Sequence, residues 1–89
     1  MKKNRKREDN VLVGKFLKRL RERLGLTQKQ LSEKIHIYLM GLSRYERGLN
    51  YPFVPILKRL SKALKVSVDE IIFAGSPPGS SNERLKSMF

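Results

Sequence analysis

The chain has 89 residues and carries 20 lysines and arginines against 8 acidic residues, a formal net charge of +12. A single small domain is expected from that length, and so strong a positive excess favours a polyanion such as nucleic acid, with an anionic membrane surface as the lesser alternative. There is no cysteine and only one histidine, His36, which excludes a disulfide framework and a thiolate metal site; no apolar run approaches the ~18 residues of a membrane span, and the polar N-terminus is unlike a signal peptide, so a cytoplasmic protein is expected.

In chain order, residues 1–10 carry Lys2, Lys3, Arg5, Lys6 and Arg7 and no apolar side chain after Met1. With nothing to fasten them to a core, they are expected to form a flexible basic arm. Residues 11–73 read as the packed domain. Val13, Phe16, Leu17, Leu20 and Leu24 recur at helical spacing, which predicts a first helix over 12–24 closed by Gly25. Thr27 and Gln30 form a T-x-x-Q capping box that opens a second helix over 28–35, with Leu31 and Ile35 on its buried face. After a break at His36, Ile37, Leu42 and Tyr45 continue an apolar face into a third helix over 39–47, with Gly48 as a left-handed cap. Pro52 and Pro55 suit a loop or first turn before a fourth helix over 54–64, whose face is Leu57, Leu60, Ala63 and Leu64. Ser67 with Glu70 repeats the capping box and starts a short fifth helix over 68–73, through Val68, Ile71, Ile72 and Phe73. Residues 74–89 begin with AGSPPGSSN, a linker by composition, and end in a tail with Leu85, Met88 and Phe89 at loose helical spacing. No strand pattern or internal repeat is visible, so the fold class is all-α.

The second and third helices, joined by a tight turn, have helix-turn-helix grammar. Around them stand G-x-x-L-x-x-L-R-x-x-x-G-L-T-Q from Gly14 to Gln28, L-S-E-K-I from Leu31 to Ile35, L-S-R-Y-E-R-G from Leu42 to Gly48, and N-Y-P, L-x-x-L-x-x-A-L and V-S-V-D-E-I between Asn50 and Ile71. Any one piece is weak, but their order and spacing resemble the lambda-repressor-like (XRE/Cro-type) DNA-binding domain over about two thirds of the chain. The resemblance implies a compact five-helix domain that binds double-stranded DNA as a homodimer and regulates transcription, probing the major groove with its third helix. It further implies that Gln28 meets a phosphate, that Tyr38, Leu39, Met40, Gly41, Ser43 and Arg44 occupy the reading positions, and that Arg47 and Asn50 lie along the backbone. Lys58 and Arg59 are divided between phosphate contact and plain helix surface. Arg21 and Glu46 match positions that form an internal ion pair.

The reading positions depart from the family's pattern. Donors and acceptors are the usual means of reading base edges, yet this chain offers Tyr38-Leu39-Met40-Gly41. His36 stands where a turn glycine is usual, and Tyr38 where an N-cap serine is usual, so the third helix lacks its common capping chemistry. Three outcomes are open for this apolar patch. Leu39 and Met40 contact thymine methyls while Arg44 forks onto guanine; or Tyr38, Leu39 and Met40 bind a protein partner, as in an adaptor or antitoxin-like module; or Leu39 turns into the core. The basic arm follows the DNA backbone or enters a neighbouring minor groove, or else is merely solvated. No acid-base, nucleophile, phosphate-loop or metal constellation is present, so neither an enzyme nor a cofactor is expected.

Overall fold

Two capping boxes and four left-handed turns set the boundaries of the elements. Thr27 Oγ1 accepts from the Gln30 amide at 3.0 Å while Gln30 Oε1 accepts from the Thr27 amide at 2.8 Å; Ser67 and Glu70 repeat the exchange at 3.0 and 2.8 Å. The structure, a computed structural model, describes residues 5–75, and over that range the chain forms α1 (Arg5–Arg23), α2 (Gln28–Lys34), α3 (Leu39–Glu46), α4 (Val54–Leu64) and α5 (Val68–Ala74), with no strand. The first four helices end alike. Gly25, His36, Gly48 and Lys65 each adopt a positive φ. The amide one residue further on then reaches back five residues, from Leu26 to Arg21, Ile37 to Ser32, Leu49 to Arg44 and Val66 to Ser61, at 2.9–3.1 Å. This satisfies carbonyls the helix leaves unpaired. Glycine marks two of these stops in the sequence; His36 and Lys65 accept the left-handed conformation without that freedom.

The core is built from Val13, Leu17 and Leu20 of α1, Leu31 and Ile35 at α2, Leu42 of α3, Ile56, Leu57, Leu60 and Leu64 of α4, and Ile71 of α5. Helix α1 packs on α3 and α5, α2 on α3, and α4 on α5. At the α1–α3 crossing Gly14 is essential to the approach. A Cβ there would press into the Tyr45 and Glu46 carbonyls, so the smallest side chain fixes how closely the two helices meet.

Two expectations about extent need correction. Helix α1 begins at Arg5, not near residue 12, so residues 5–10 of the expected arm are helical. Extending an existing helix avoids the nucleation cost, and Glu8 in the first turn complements the helix dipole. Asp9 and Asn10 are half-buried, and Gly75, itself buried, packs on the Asp9 backbone and Val13. Second, the linker does not start at Ala74, which closes α5 with Gly75 as its C-cap. Leu24, just past α1, and Ile72 and Phe73 of α5 are exposed at 40%, 38% and 55% and lie outside the core. Residues 1–4 of the arm and the tail from residue 76 lie outside the described residues.

Candidate nucleic-acid interface

A buried polar cluster ties the helix-turn-helix unit to α1. Arg21 Nε donates to Glu46 Oε2 at 2.6 Å, and Arg21 Nη2 to Glu46 Oε1 at 3.1 Å. Arg21 Nη1 donates to the Leu26 carbonyl at 2.7 Å, ahead of α2. Gln28 Nε2 donates to Glu46 Oε1 at 2.9 Å. Arg21 and Glu46 are only 8% and 7% exposed. The hydrogen bond to Glu46 raises the guanidinium pKa above its ordinary value, outweighing the burial that lowers it. One carboxylate at the end of α3 thus gathers α1 and the first residue of α2. The expected role of Gln28 changes accordingly: one amide proton holds Glu46, so the side chain is an internal brace as well as a candidate phosphate donor.

The entrance to α3 is uncapped by any side chain. Tyr38 sits at the N-cap position in an extended conformation with no side-chain hydrogen bond to the helix, and His36 makes the preceding turn with φ 59°. The helix is nevertheless regular from its first turn, where the Leu42 amide donates to the Tyr38 carbonyl at 3.2 Å. Leu42 beneath is fully buried and holds the turn by packing.

Tyr38, Leu39 and Met40 are exposed at 87%, 46% and 60%. Leu39 therefore does not turn into the core. Tyr38, Met40, Gly41 and Arg44 line one groove of about 790 Å³ together with Phe53 and Arg59. Leu39 and Ser43 are on the same helix but do not line it, and Ser43 is half-buried. Arg47 is exposed at the helix end. Asn50 is exposed elsewhere, in a recess of about 600 Å³ with Asp9, Asn10, Leu49, Tyr51 and Ile72. Lys58 is exposed, whereas Arg59 Nη1 donates to the Ile35 carbonyl at 3.2 Å and braces the end of α2. Burial raises the Tyr45 phenol pKa above its usual value; Tyr51 is raised by burial first and by the Asp9 charge second.

Phe53 was not singled out by sequence. It is 63% exposed at the N-cap of α4, beside the groove. An aromatic residue between Pro52 and Pro55, just ahead of the helix those prolines mark, was the available signal.

An α2–turn–α3 unit with an exposed third helix, packed into five helices, defines a DNA-binding domain of the lambda-repressor-like, XRE type. The helix-turn-helix family model matches residues 17–71, and the chain belongs to that family. It is similar to the HTH-type transcriptional activator BcrR of Enterococcus faecalis, 38% identical over 56 residues that make up 63% of this chain and 28% of that protein. It is 40% identical to the HTH-type transcriptional regulator ImmR of Bacillus subtilis (strain 168) over 60 residues, 67% of this chain and 47% of the relative. The chain thus spans less than half the length of these curated relatives. Among solved structures it is similar to the restriction-modification controller protein C.AhdI from Aeromonas hydrophila, with a TM-score of 0.68 and 27% identity, covering 71% of this chain and 96% of that one.

Proposed function

We propose that the chain is a transcriptional regulator that binds specific double-stranded DNA as a homodimer, placing α3 in the major groove. The carrying observation is the exposed edge of α3, where Tyr38, Met40 and Arg44 project from a helix braced underneath by Leu42 and the Arg21–Glu46 pair. A helix so anchored presents its side chains in fixed register to base edges, which is what direct readout requires. Arg44 is the base reader of choice, forking onto guanine. The second Gln28 amide proton, Arg47 and Asn50 serve the phosphates, which position the domain without reading sequence.

Two copies would set their α3 helices about 34 Å apart, one turn of duplex, on a palindromic site. Exposed Leu49 and Ile72, which share a recess beside α5, supply apolar surface for the twofold contact. The regulator acts repressor-like, by occupying its operator; a promoter-reporter assay showing activation would reverse that sign. Fluorescence anisotropy across a salt series tests the binding itself. Affinity for a selected duplex well above that for random DNA at moderate salt, on a dimer seen by sedimentation, supports the reading. A strictly monomeric protein at high micromolar concentration, free and on DNA, removes the homodimer.

A second reading is favoured by the same exposed Tyr38, Leu39 and Met40: a protein-interaction adaptor or antitoxin-like module that retains the helix-turn-helix fold. Leu39→Ser with Met40→Ser separates the two. An adaptor would lose its partner and keep weak electrostatic DNA binding; a regulator would lose preference for its site.

A further inference from the structure

We infer that the entrance of α3 reads the C5-methyl group of a pyrimidine beside the guanine taken by Arg44, so that thymine and 5-methylcytosine are accepted alike and unmethylated cytosine is disfavoured. The inference rests on the duplex-binding reading above and names the base feature to which that reading applies.

Met40 and Arg44 stand one helical turn apart on α3 and line the same groove, with Met40 60% exposed. Gly41 lines the same groove, and a Cβ there would meet nothing within 4 Å, so the surface beside Met40 is open. Side chains four residues apart are neighbours on a helix surface, so a base edge entering the groove can reach both the thioether arm and the guanidinium. No carboxylate lines this groove, while Arg44 and Arg59 do, so its charge suits a polyanion. Across Tyr38, Leu39 and Met40 the only strong hydrogen-bonding side-chain group is the Tyr38 hydroxyl.

In the major groove thymine shows an O4 acceptor and a methyl, whereas cytosine shows an N4 donor and no methyl. A hydrogen-bonding reader distinguishes O4 from N4. Met40 cannot, since its arm has no strong donor or acceptor; it registers only whether a methyl fills the space against it. Thymine and 5-methylcytosine carry the same methyl, so an apolar reader groups them. Arg44 meanwhile takes the adjacent guanine through O6 and N7, and the favoured step is a methylated pyrimidine next to guanine. Burying one methyl corresponds to about fourfold in affinity for each half-site.

The test uses the folded chain and a duplex chosen by selection from random DNA, remade with thymine, uracil, 5-methylcytosine or cytosine at that pyrimidine. Uracil should bind about fourfold more weakly than thymine per half-site, and cytosine more weakly than 5-methylcytosine by a similar factor. Met40→Asn should erase both differences with an unchanged melting temperature, because Met40 is not core. Equal binding of uracil and thymine, or of cytosine and 5-methylcytosine, overturns methyl reading while leaving sequence-specific binding in place. Selection of no sequence above random overturns the duplex reading itself, and methyl reading with it.

Discussion

Replacing Glu46 by alanine should destabilise the domain by about 3–5 kcal/mol, because it leaves a buried arginine without its countercharge. The structure gives the components. The Glu46 carboxylate accepts from Arg21 Nε at 2.6 Å, Arg21 Nη2 at 3.1 Å and Gln28 Nε2 at 2.9 Å. After its removal the guanidinium, on a residue only 8% exposed, keeps the Leu26 carbonyl as its remaining protein acceptor. Hydrogen bonds to charged groups contribute about 1.5–3 kcal/mol each, so the loss of two from Arg21 alone accounts for a penalty of this size. Small domains have a total stability on the order of 5–15 kcal/mol, and each kcal/mol moves the melting temperature by about 4–8 °C. Far-UV circular dichroism should therefore record a fall of at least about 12 °C, to the point of unfolding if the parent stability is low. The double variant Arg21→Met, Glu46→Leu should lie well above Glu46→Ala, since removing both charges together strands neither. A melting temperature within a few degrees of the parent for Glu46→Ala, or single-variant effects that simply add, would show that the pair is solvated rather than buried.

Other perturbations address separate links of the account. Gly14→Ala should lower stability by about 1–3 kcal/mol in urea titration despite alanine's better helix propensity, because the new Cβ meets the Tyr45 and Glu46 carbonyls; an unchanged midpoint would mean that α1 and α3 separate freely. His36→Gly should raise the stability by about 1 kcal/mol by relieving the left-handed backbone, and a loss would show that the histidine side chain contributes more than the strain removes. The raised phenol pKa values of Tyr45 and Tyr51 mean that folding favours their protonated forms. Their contribution is complete below the free tyrosine value of about 10 and is lost as pH rises from there through the folded values. Phenolate absorbance should show two tyrosines titrating later than free tyrosine in the native protein, with stability falling over the same range; a single titration at the free value would contradict the burial.

The residues that announce the helix starts are the ones with a local chemical signature. Thr27–Gln30 and Ser67–Glu70 form reciprocal boxes within four residues, and Gly25 and Gly48 carry backbone freedom that few other residues have, so those boundaries are legible from sequence. His36 and Lys65 perform the same turn without such a mark, and only the backbone itself reveals them. The start of α1 at Arg5 was obscured because a polar, highly charged segment looks alike whether solvated or helical; the packing of Gly75 on Asp9, distant in sequence, ties down the turn that follows that start. At the interface, family resemblance pointed to Arg21 with Glu46 and to the α3 positions. It did not reveal that Gln28 joins the same carboxylate, that Arg59 braces the end of α2, or that Phe53 flanks the groove. Those depend on how helices distant in sequence are set against one another.

Whether α3 reads base sequence is decided by selecting bound duplexes from a random pool at two salt concentrations with the parent chain and with Arg44→Ala. If it does, the selected sequences form a palindromic consensus whose half-sites lie one helical turn apart and each contain a guanine. Preference at that guanine should fall by about 1–3 kcal/mol in Arg44→Ala, while affinity for random DNA changes little. A pool that remains random at moderate salt, or a consensus that Arg44→Ala leaves intact, would contradict base reading by α3.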